Sequence, residues 1–233
     1  MKKFYFIGDI HGCAEELDAL IQKINPSKDD VLVSVGDIVN KGPRSEEAVQ
    51  LLIKHNAKAV LGNHDSIIKR IFLKRTQGIS PDLPIKETHD KLYDSLSESS
   101  IQYIVNLPLT LYLEEINTRV VHAGIAPFKA LKENTEEELT CIRIVDPQTK
   151  EYIKRTHFGY PWYYYYTGDE RIIYGHNAAK SIKMRKNTIG IDTGCLYGEK
   201  LTAYCLPDDR FIDVKAKKIY NDYTQGGKYS MPL

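Results

Sequence analysis

Residues 4–12 read Phe4-Tyr5-Phe6-Ile7-Gly8-Asp9-Ile10-His11-Gly12: four apolar residues, a glycine, then an acid and a histidine two apart. The apolar run has the length of a buried strand, so Asp9 and His11 sit at a strand exit. The same pattern recurs along the chain. Val31–Val35 leads into Gly36-Asp37, Ala59–Leu61 into Gly62-Asn63-His64-Asp65, Arg119–Val121 into His122-Ala123-Gly124, and Arg171–Tyr174 into Gly175-His176. A parallel or mixed sheet brings such strand ends to one edge, where open α/β folds build their sites. One such ending carries little information, because Gly-Asn-His-Asp favours turns and a lone histidine is often a hydrogen-bonded core residue. Five in order point to hydrolytic metal chemistry.

Between these endings the pattern switches to helical spacing. Leu17, Leu20, Ile21 and Ile24 predict a first helix; Ala48, Val49, Leu52 and Ile53 predict a second, with Ser45 as N-cap; Ile67, Ile68, Ile71 and Phe72 predict a third. This β-α-β-α-β-α opening favours parallel pairing. Residues 76–98 are polar, carry Gly78, Pro81 and Pro84, and read as a surface excursion. After a short helix near Ser99–Asn106, a hairpin about Ile116-Asn117 shifts the second half towards antiparallel strands. Residues 125–160 are polar and predict either a cap over the site or a solvated insertion. Thr188–Asp192, Leu201–Leu206 and Phe211–Val214 close the chain as strands. The expectation is one α/β domain over residues 1–233, with excursions at 76–98 and 125–160.

Composition narrows the function class. The chain has 233 residues, 42% hydrophobic and 27% charged, with a net charge of +1. Nothing in that total calls for a general nucleic-acid-binding surface. The apolar run after Met1-Lys2-Lys3 is too short for a signal core or a membrane span, so the expected location is intracellular, in the cytoplasm. Four cysteines, at 13, 141, 195 and 205, form no Cys-x-x-Cys pair and read as reduced thiols. Cys13, beside the first motif, reads as packing at a helix start, with a redox role as the less favoured reading.

The residue types specify the metal chemistry. Asp9 and His11 can meet one ion, Asp37 can bridge two, and Asn63, His122 and His176 can complete the second. Two-metal hydrolases hold their ions roughly 3.5–4 Å apart. Imidazole and oxygen donors without thiolate suit Mn²⁺ best, with Fe, Zn²⁺ or Co²⁺ as alternatives.

The series Gly8-Asp9-Ile10-His11-Gly12, Gly36-Asp37-Ile38-Val39-Asn40-Lys41-Gly42, Gly62-Asn63-His64-Asp65, His122-Ala123-Gly124 and Gly175-His176 resembles the signature of the calcineurin-like metallophosphoesterases, within the phosphoprotein phosphatase superfamily. The resemblance spans residues 8–194. It implies a mixed β-sandwich flanked by helices and in-line attack on phosphorus by a metal-bridging hydroxide. It places Asp9, His11 and Asp37 on one ion and Asp37, Asn63, His122 and His176 on the other. His64 becomes the general acid, assisted by Asn40.

Two departures indicate the branch. Asn40-Lys41-Gly42 stands where protein Ser/Thr phosphatases of the family carry Asp-Arg-Gly, and Asp65 stands where they carry Glu. Asn40 can accept a hydrogen bond from His64 without bringing charge, and Lys41 offers a point charge in place of a bidentate fork. With Ile191-Asp192-Thr193-Gly194-Cys195, these features are similar to the ApaH-like branch, which includes the bacterial symmetrical dinucleoside tetraphosphatases. The implied substrates are dinucleoside polyphosphates, capped RNA, polyphosphate or phosphoproteins, gripped by Asn63, Lys41, Arg44 and Arg143. Asp192-Thr193-Gly194 also resembles an aspartic-protease loop, but one copy gives no carboxylate pair, so Asp192 reads as a residue at a strand end that is either structural or placed just behind the metal ligands. The run Trp162-Tyr163-Tyr164-Tyr165-Tyr166 reads as a half-buried strand, or else as a surface for stacking a nucleobase. A serine/threonine protein phosphatase is the alternative function, and a non-catalytic binding module the alternative of another class.

Overall fold

The computed structural model describes residues 2–80, 84–153 and 159–222. Its first half runs β1 (Phe4–Ile7), α1 (Ala14–Ile24), β2 (Val31–Ser34), α2 (Ser45–Lys54), β3 (Lys58–Ala59), α3 (Asp65–Gln77), α4 (Glu87–Asp94) and α5 (Glu98–Val105). There follow β4 (Thr110–Leu113), β5 (Thr118–Val121), α6 (Glu136–Cys141), β6 (Ile144–Val145), β7 (Tyr152–Ile153) and β8 (Tyr160–Pro161). The chain then adds β9 (Arg171–Tyr174), β10 (Lys183–Arg185), β11 (Thr188–Gly190), β12 (Lys200–Leu206) and β13 (Arg210–Lys215). Two five-stranded sheets result, ordered β13-β12-β1-β2-β3 and β10-β11-β9-β5-β4, with a small third sheet β7-β6-β8.

Strand alternation explains the layering. Successive side chains of a strand point to opposite faces, and all four positions of β1 are buried. Phe4 and Phe6 join Val33, Val120, Ile173 and Tyr204 in the core between the large sheets. Tyr5 and Ile7 join Leu17, Leu20, Ala48, Leu52, Ile68 and Ile104 beneath the helices. In the second sheet Val120 and Ile173 face inward, while Val121, Ile172 and Tyr174 face out onto Leu139, Ile142 and Trp162. The result is a mixed β-sandwich flanked by helices, as the resemblance implied.

The opening strands pair in parallel, β1 with β2 and β2 with β3. The second half shifts towards antiparallel pairing, as its hairpin suggests: β4–β5, β6–β7, β6–β8, β10–β11 and β12–β13 are all antiparallel. β9 is the exception, pairing in parallel with both β5 and β11. The long connection between β5 and β9 supplies the crossover that parallel pairing requires.

Two local expectations need correction. Ser45 is the first residue of α2 and does not cap it; its hydroxyl accepts the Asn40 N–H at 3.1 Å, bracing the loop before the helix. The polar excursions carry short elements, α4 in 76–98, where Pro81 lies outside the described residues, and α6, β6 and β7 in 125–160. The aromatic run is a turn of 3-10 helix over Trp162–Tyr164 instead of a strand. Trp162 and Tyr166 are buried while Tyr164 between them is exposed, which breaks the alternation by two that a strand would show.

The indole of Trp162 is 1% exposed and donates its Nε1–H to the Ala123 carbonyl at 3.1 Å, one residue beyond His122. Trp162→Ala should therefore lower unfolding free energy by about 3–5 kcal/mol, read from the urea midpoint by circular dichroism. A loss under about 1 kcal/mol, the range of surface substitutions, would contradict this packing.

Candidate metal centre

The five strand exits converge. β1 delivers Asp9 and His11, β2 delivers Asp37, and β3 delivers Asn63 and His64. β5 and β9 of the facing sheet deliver His122 and His176. The chain must bend sharply at each exit, and His11, Asp37, Asn40, Lys41 and His176 all take left-handed φ values, of 48, 51, 77, 69 and 65°. Such conformations are uncommon outside glycine and cluster where function over-determines the backbone. They are held by hydrogen bonds between exits. The Asp37 carbonyl accepts the N–H groups of Ile10 at 3.1 Å and His11 at 2.7 Å. Asp65, wholly buried at the start of α3, accepts Ile38 N–H at 2.9 Å, Val39 N–H at 3.2 Å and Gly62 N–H at 3.1 Å.

Asp37 is central among the side chains. Its Oδ2 lies 3.5 Å from His11 Nε2 and 3.4 Å from His122 Nε2, and its Oδ1 accepts the His64 N–H at 2.9 Å. Asn63 Oδ1 lies 3.2 Å from His122 Nε2 and 2.9 Å from His176 Nδ1. His122 Nδ1 is 2.9 Å from the Val35 carbonyl, so it donates there and turns Nε2 inward. Both oxygens of Asp9 accept the His176 N–H at 3.1 Å. Two triads of possible ligands share Asp37: one with His11 and His64, the other with His122 and His176.

These residues fit divalent cations. Ligands about 2.0–2.2 Å from one ion stand roughly 3–3.5 Å from each other, which is the spacing around Asp37 and Asn63. His11 Nδ1 is buried with no hydrogen-bond partner. A Cβ added at Gly62 would collide with Asp37 Oδ1, and one at Gly175 with Asp9 Oδ1, so both carboxylates need glycine beside them. The electrostatics agree. Burial, then the neighbouring Asp192, raises Asp9 well above the usual carboxylate range. Burial opposes ionisation of Asp37, but His122 and His64 outweigh it and hold the carboxyl well below that range. Burial would likewise lower His122, yet Asp37 lifts it to about 10. Burial takes His11 down to about 3 and His176 well below its ordinary value. Asp9, Asp37 and Asp192 are sequestered together, and a cation placed among them would favour the ionised carboxylates that burial disfavours at Asp9 and Asp192.

Around this cluster a polar cleft is lined by His11, Asp37, Lys41, Asn63, His64, Arg143, His176, Asp192 and Tyr197. The Asn40 side chain meets His64 in the reverse of the sense expected from sequence. Its Oδ1 accepts the Lys41 N–H at 2.8 Å, which turns the amide nitrogen to donate to His64 Nδ1, also at 2.8 Å. Arg143, from the segment before β6, reaches the cleft and donates to His176 Nε2 at 3.2 Å. The 125–160 segment therefore contributes to the site. Arg44 does not line the cleft; half-exposed, it pairs with Glu15 at 3.5 Å. Sequence reading missed Tyr197 and Lys183. Lys183 Nζ donates to the Asn177 carbonyl, and burial pushes its pKa down to about 8 against the pull of Asp192. No spacing rule marks either residue, because turns and an edge strand bring them in.

Two other features lie apart from the cleft. Cys13, buried with Glu16 and Cys195, belongs to the helix-side core, in keeping with the packing reading. A groove of about 580 Å³ between α2, α5 and β4 is larger but apolar, and no residue lining it is a histidine, cysteine or acid.

Carboxylates, imidazoles and an amide gathered at the strand ends of a two-sheet sandwich define a metal-dependent phosphohydrolase. The chain belongs to the calcineurin-like phosphoesterases, whose family profile matches residues 2–198. It is 32% identical to the bis(5'-nucleosyl)-tetraphosphatase PrpE [asymmetrical] of Oceanobacillus iheyensis, covering 93% of each chain. The protein of the same designation from Bacillus subtilis is 28% identical over 93% of this chain and 96% of that one. A crystal structure provisionally described as a diadenosine tetraphosphatase superposes with a TM-score of 0.80 at 30% identity, over 92% of this chain and 93% of the other. A Saccharomyces cerevisiae serine/threonine phosphatase shares the fold, with a TM-score of 0.59 at 14% identity over 93% and 80% of the two chains.

Asp37→Asn should break the link between the two triads. After equilibration with Mn²⁺ and gel filtration, the wild type should retain about two ions per chain and the variant fewer than one, by plasma mass spectrometry. Equal retention would show that Asp37 is not a shared ligand.

Proposed function

We propose that the chain hydrolyses phosphoanhydrides of dinucleoside polyphosphates. The observation that carries this reading is the sharing of Asp37 Oδ2 between His11 and His122, at the edge of a cleft that Lys41 and Arg143 line with positive charge. The names of the tetraphosphatase relatives support the substrate class. Asp9, His11 and Asp37 would hold one divalent ion, and Asp37, Asn63, His122 and His176 the other. Mn²⁺ suits this nitrogen and oxygen set. Two such ions supply Lewis acidity for the phosphoryl oxygens and an activated water at neutral pH.

The chain's own residues do the rest. Lys41 and Arg143 orient the phosphoryl group and offset its charge. Asp65 keeps the Asp37 and Asn63 loops in register through its three N–H bonds. His64, 5.0 Å ring to ring from His11, protonates the departing oxygen. Its relation to Asn40 sets how readily it holds that proton: burial pulls the ring down to about 4, and the Asn40 amide donates to Nδ1 without supplying negative charge.

The assay compares diadenosine tetraphosphate with a phosphoserine peptide in Mn²⁺, with products resolved by anion exchange. The expected result is preference for the dinucleotide, and release of AMP with ATP would match the asymmetrical designation of the relatives. Preference for the peptide would transfer the protein to the phosphoprotein phosphatases. His64→Ala should reduce kcat by about 10²–10⁴-fold; an unchanged kcat would remove it as the acid.

Asn40→Asp gives a pH test. A carboxylate in place of the amide accepts from His64 Nδ1–H and stabilises the imidazolium, which raises its pKa by about 1–3 units. Activity that needs protonated His64 is lost as pH rises through that pKa, so the alkaline limb of the pH–rate profile should move to higher pH. A limb that stays in place would dissociate Asn40 from the acid.

A further inference from the structure

The polar cleft has a volume of about 70 Å³. Sites that enclose a drug-sized ligand run to about 300–1,000 Å³, so this one takes a phosphoryl group and leaves any nucleoside outside. An aromatic surface stands on the outer face of the second sheet, packed through Tyr163 on Tyr174 of β9. Tyr160 and Tyr164 are 56% and 46% exposed, with ring centroids 6.3 Å apart and planes inclined by 37°. The guanidinium of Arg185 sits 4.0 Å from the centre of the Tyr164 ring. Buried tyrosines serve the core, and Tyr166 does so here, but these two rings remain in solvent and are backed by a rigid stack: Tyr163 lies 5.4 Å from Tyr164 and 5.9 Å from Tyr174 of β9.

Two hydrogen-bonded routes join this surface to the cleft. The Trp162 N–H donates to the Arg143 carbonyl at 3.2 Å, and Arg143 reaches His176. β10 supplies the other: Lys183, anchored to Asn177 next to His176, and Arg185 share one face of the strand, about 6–7 Å apart. Positive charge thus runs from the cleft through Lys183 to Arg185, where it meets the tyrosines. A polyphosphate needs such a track of cations, and a base needs a flat, polarisable platform at its end.

We propose that Tyr160, Tyr164 and Arg185 form a nucleobase-stacking subsite, approached along Lys183, for one base of a dinucleoside polyphosphate cleaved at the metal centre. This rests on the function proposed above and adds the element that would distinguish such a substrate from inorganic polyphosphate. Aromatic rings and guanidinium planes accept any base face, so the subsite recognises a nucleotide without selecting among bases.

The test uses the full chain with Tyr160→Ala/Tyr164→Ala, Arg185→Ala and Tyr164→Trp. The selectivity ratio, kcat/KM for diadenosine tetraphosphate over that for inorganic tripolyphosphate, should fall by about 5- to 100-fold in the alanine variants and be kept by Tyr164→Trp. A ratio unchanged in the alanine variants, or lost equally in Tyr164→Trp, overturns the subsite. Calorimetry with a methylene-bridged, non-hydrolysable diadenosine tetraphosphate keeps the two readings separate. The wild type should bind it more tightly than tripolyphosphate, and the double alanine variant should lose that advantage. If the wild type shows no advantage, the subsite falls whatever the turnover. If the analogue binds with the advantage but the natural dinucleotide is not cleaved, the function proposed above falls and the subsite stands.

Discussion

A single buried carboxylate, Asp37, organises this molecule. Its carbonyl fixes the exit of β1, its Oδ1 fixes the start of the His64 turn, and its Oδ2 lies between histidines from two different sheets. A carboxylate taken out of water is costly unless it is paired and hydrogen-bonded. The surrounding loops meet that demand, and in meeting it they bring five strand ends to one point. Asp65 repeats the device a step further out, accepting three backbone N–H groups from two loops. The sandwich supplies the rigid edges, and the buried acids determine how the edges close.

Charge is distributed unevenly around that point. Asp9, Asp37 and Asp192 place three carboxyl groups in a desolvated pocket, whereas Lys41 and Arg143 line the cleft that opens from it. Low dielectric strengthens both fields. The inner one favours cations and the outer one favours anions, an order suited to a phosphorylated substrate meeting bound metal.

The inner part of this arrangement was legible in the sequence because it obeys short-range rules. Each candidate ligand follows an apolar run, so strand identity and ligand position were read together from Phe4–His11 or Arg171–His176. The outer part depends on tertiary placement, and there the reading thinned. Arg143 could be suspected but its target could not; Arg44 turned to Glu15 instead of the cleft; Lys183 gave no signal, since an edge strand positions it. Asn40 was placed correctly beside His64, but the direction of its hydrogen bond is decided by Lys41 N–H, which takes the amide oxygen. The tyrosine run misled for a comparable reason. β-propensity favours a strand, but the run turns as a 3-10 helix that buries Trp162 and Tyr166 and leaves Tyr164 between them in solvent.

The left-handed backbone at His11, Asp37, Asn40 and His176 also limits what the centre can become. Asn, Asp and His are the side chains, apart from glycine, that most readily accept that conformation. A change to glutamate or cysteine would set side-chain chemistry against chain geometry at His11, Asp37 and His176, three of the candidate ligand positions. The choice of side chain at these candidate ligand positions is thus partly written in torsion angles, a constraint that the cleft residues in ordinary backbone conformations do not carry.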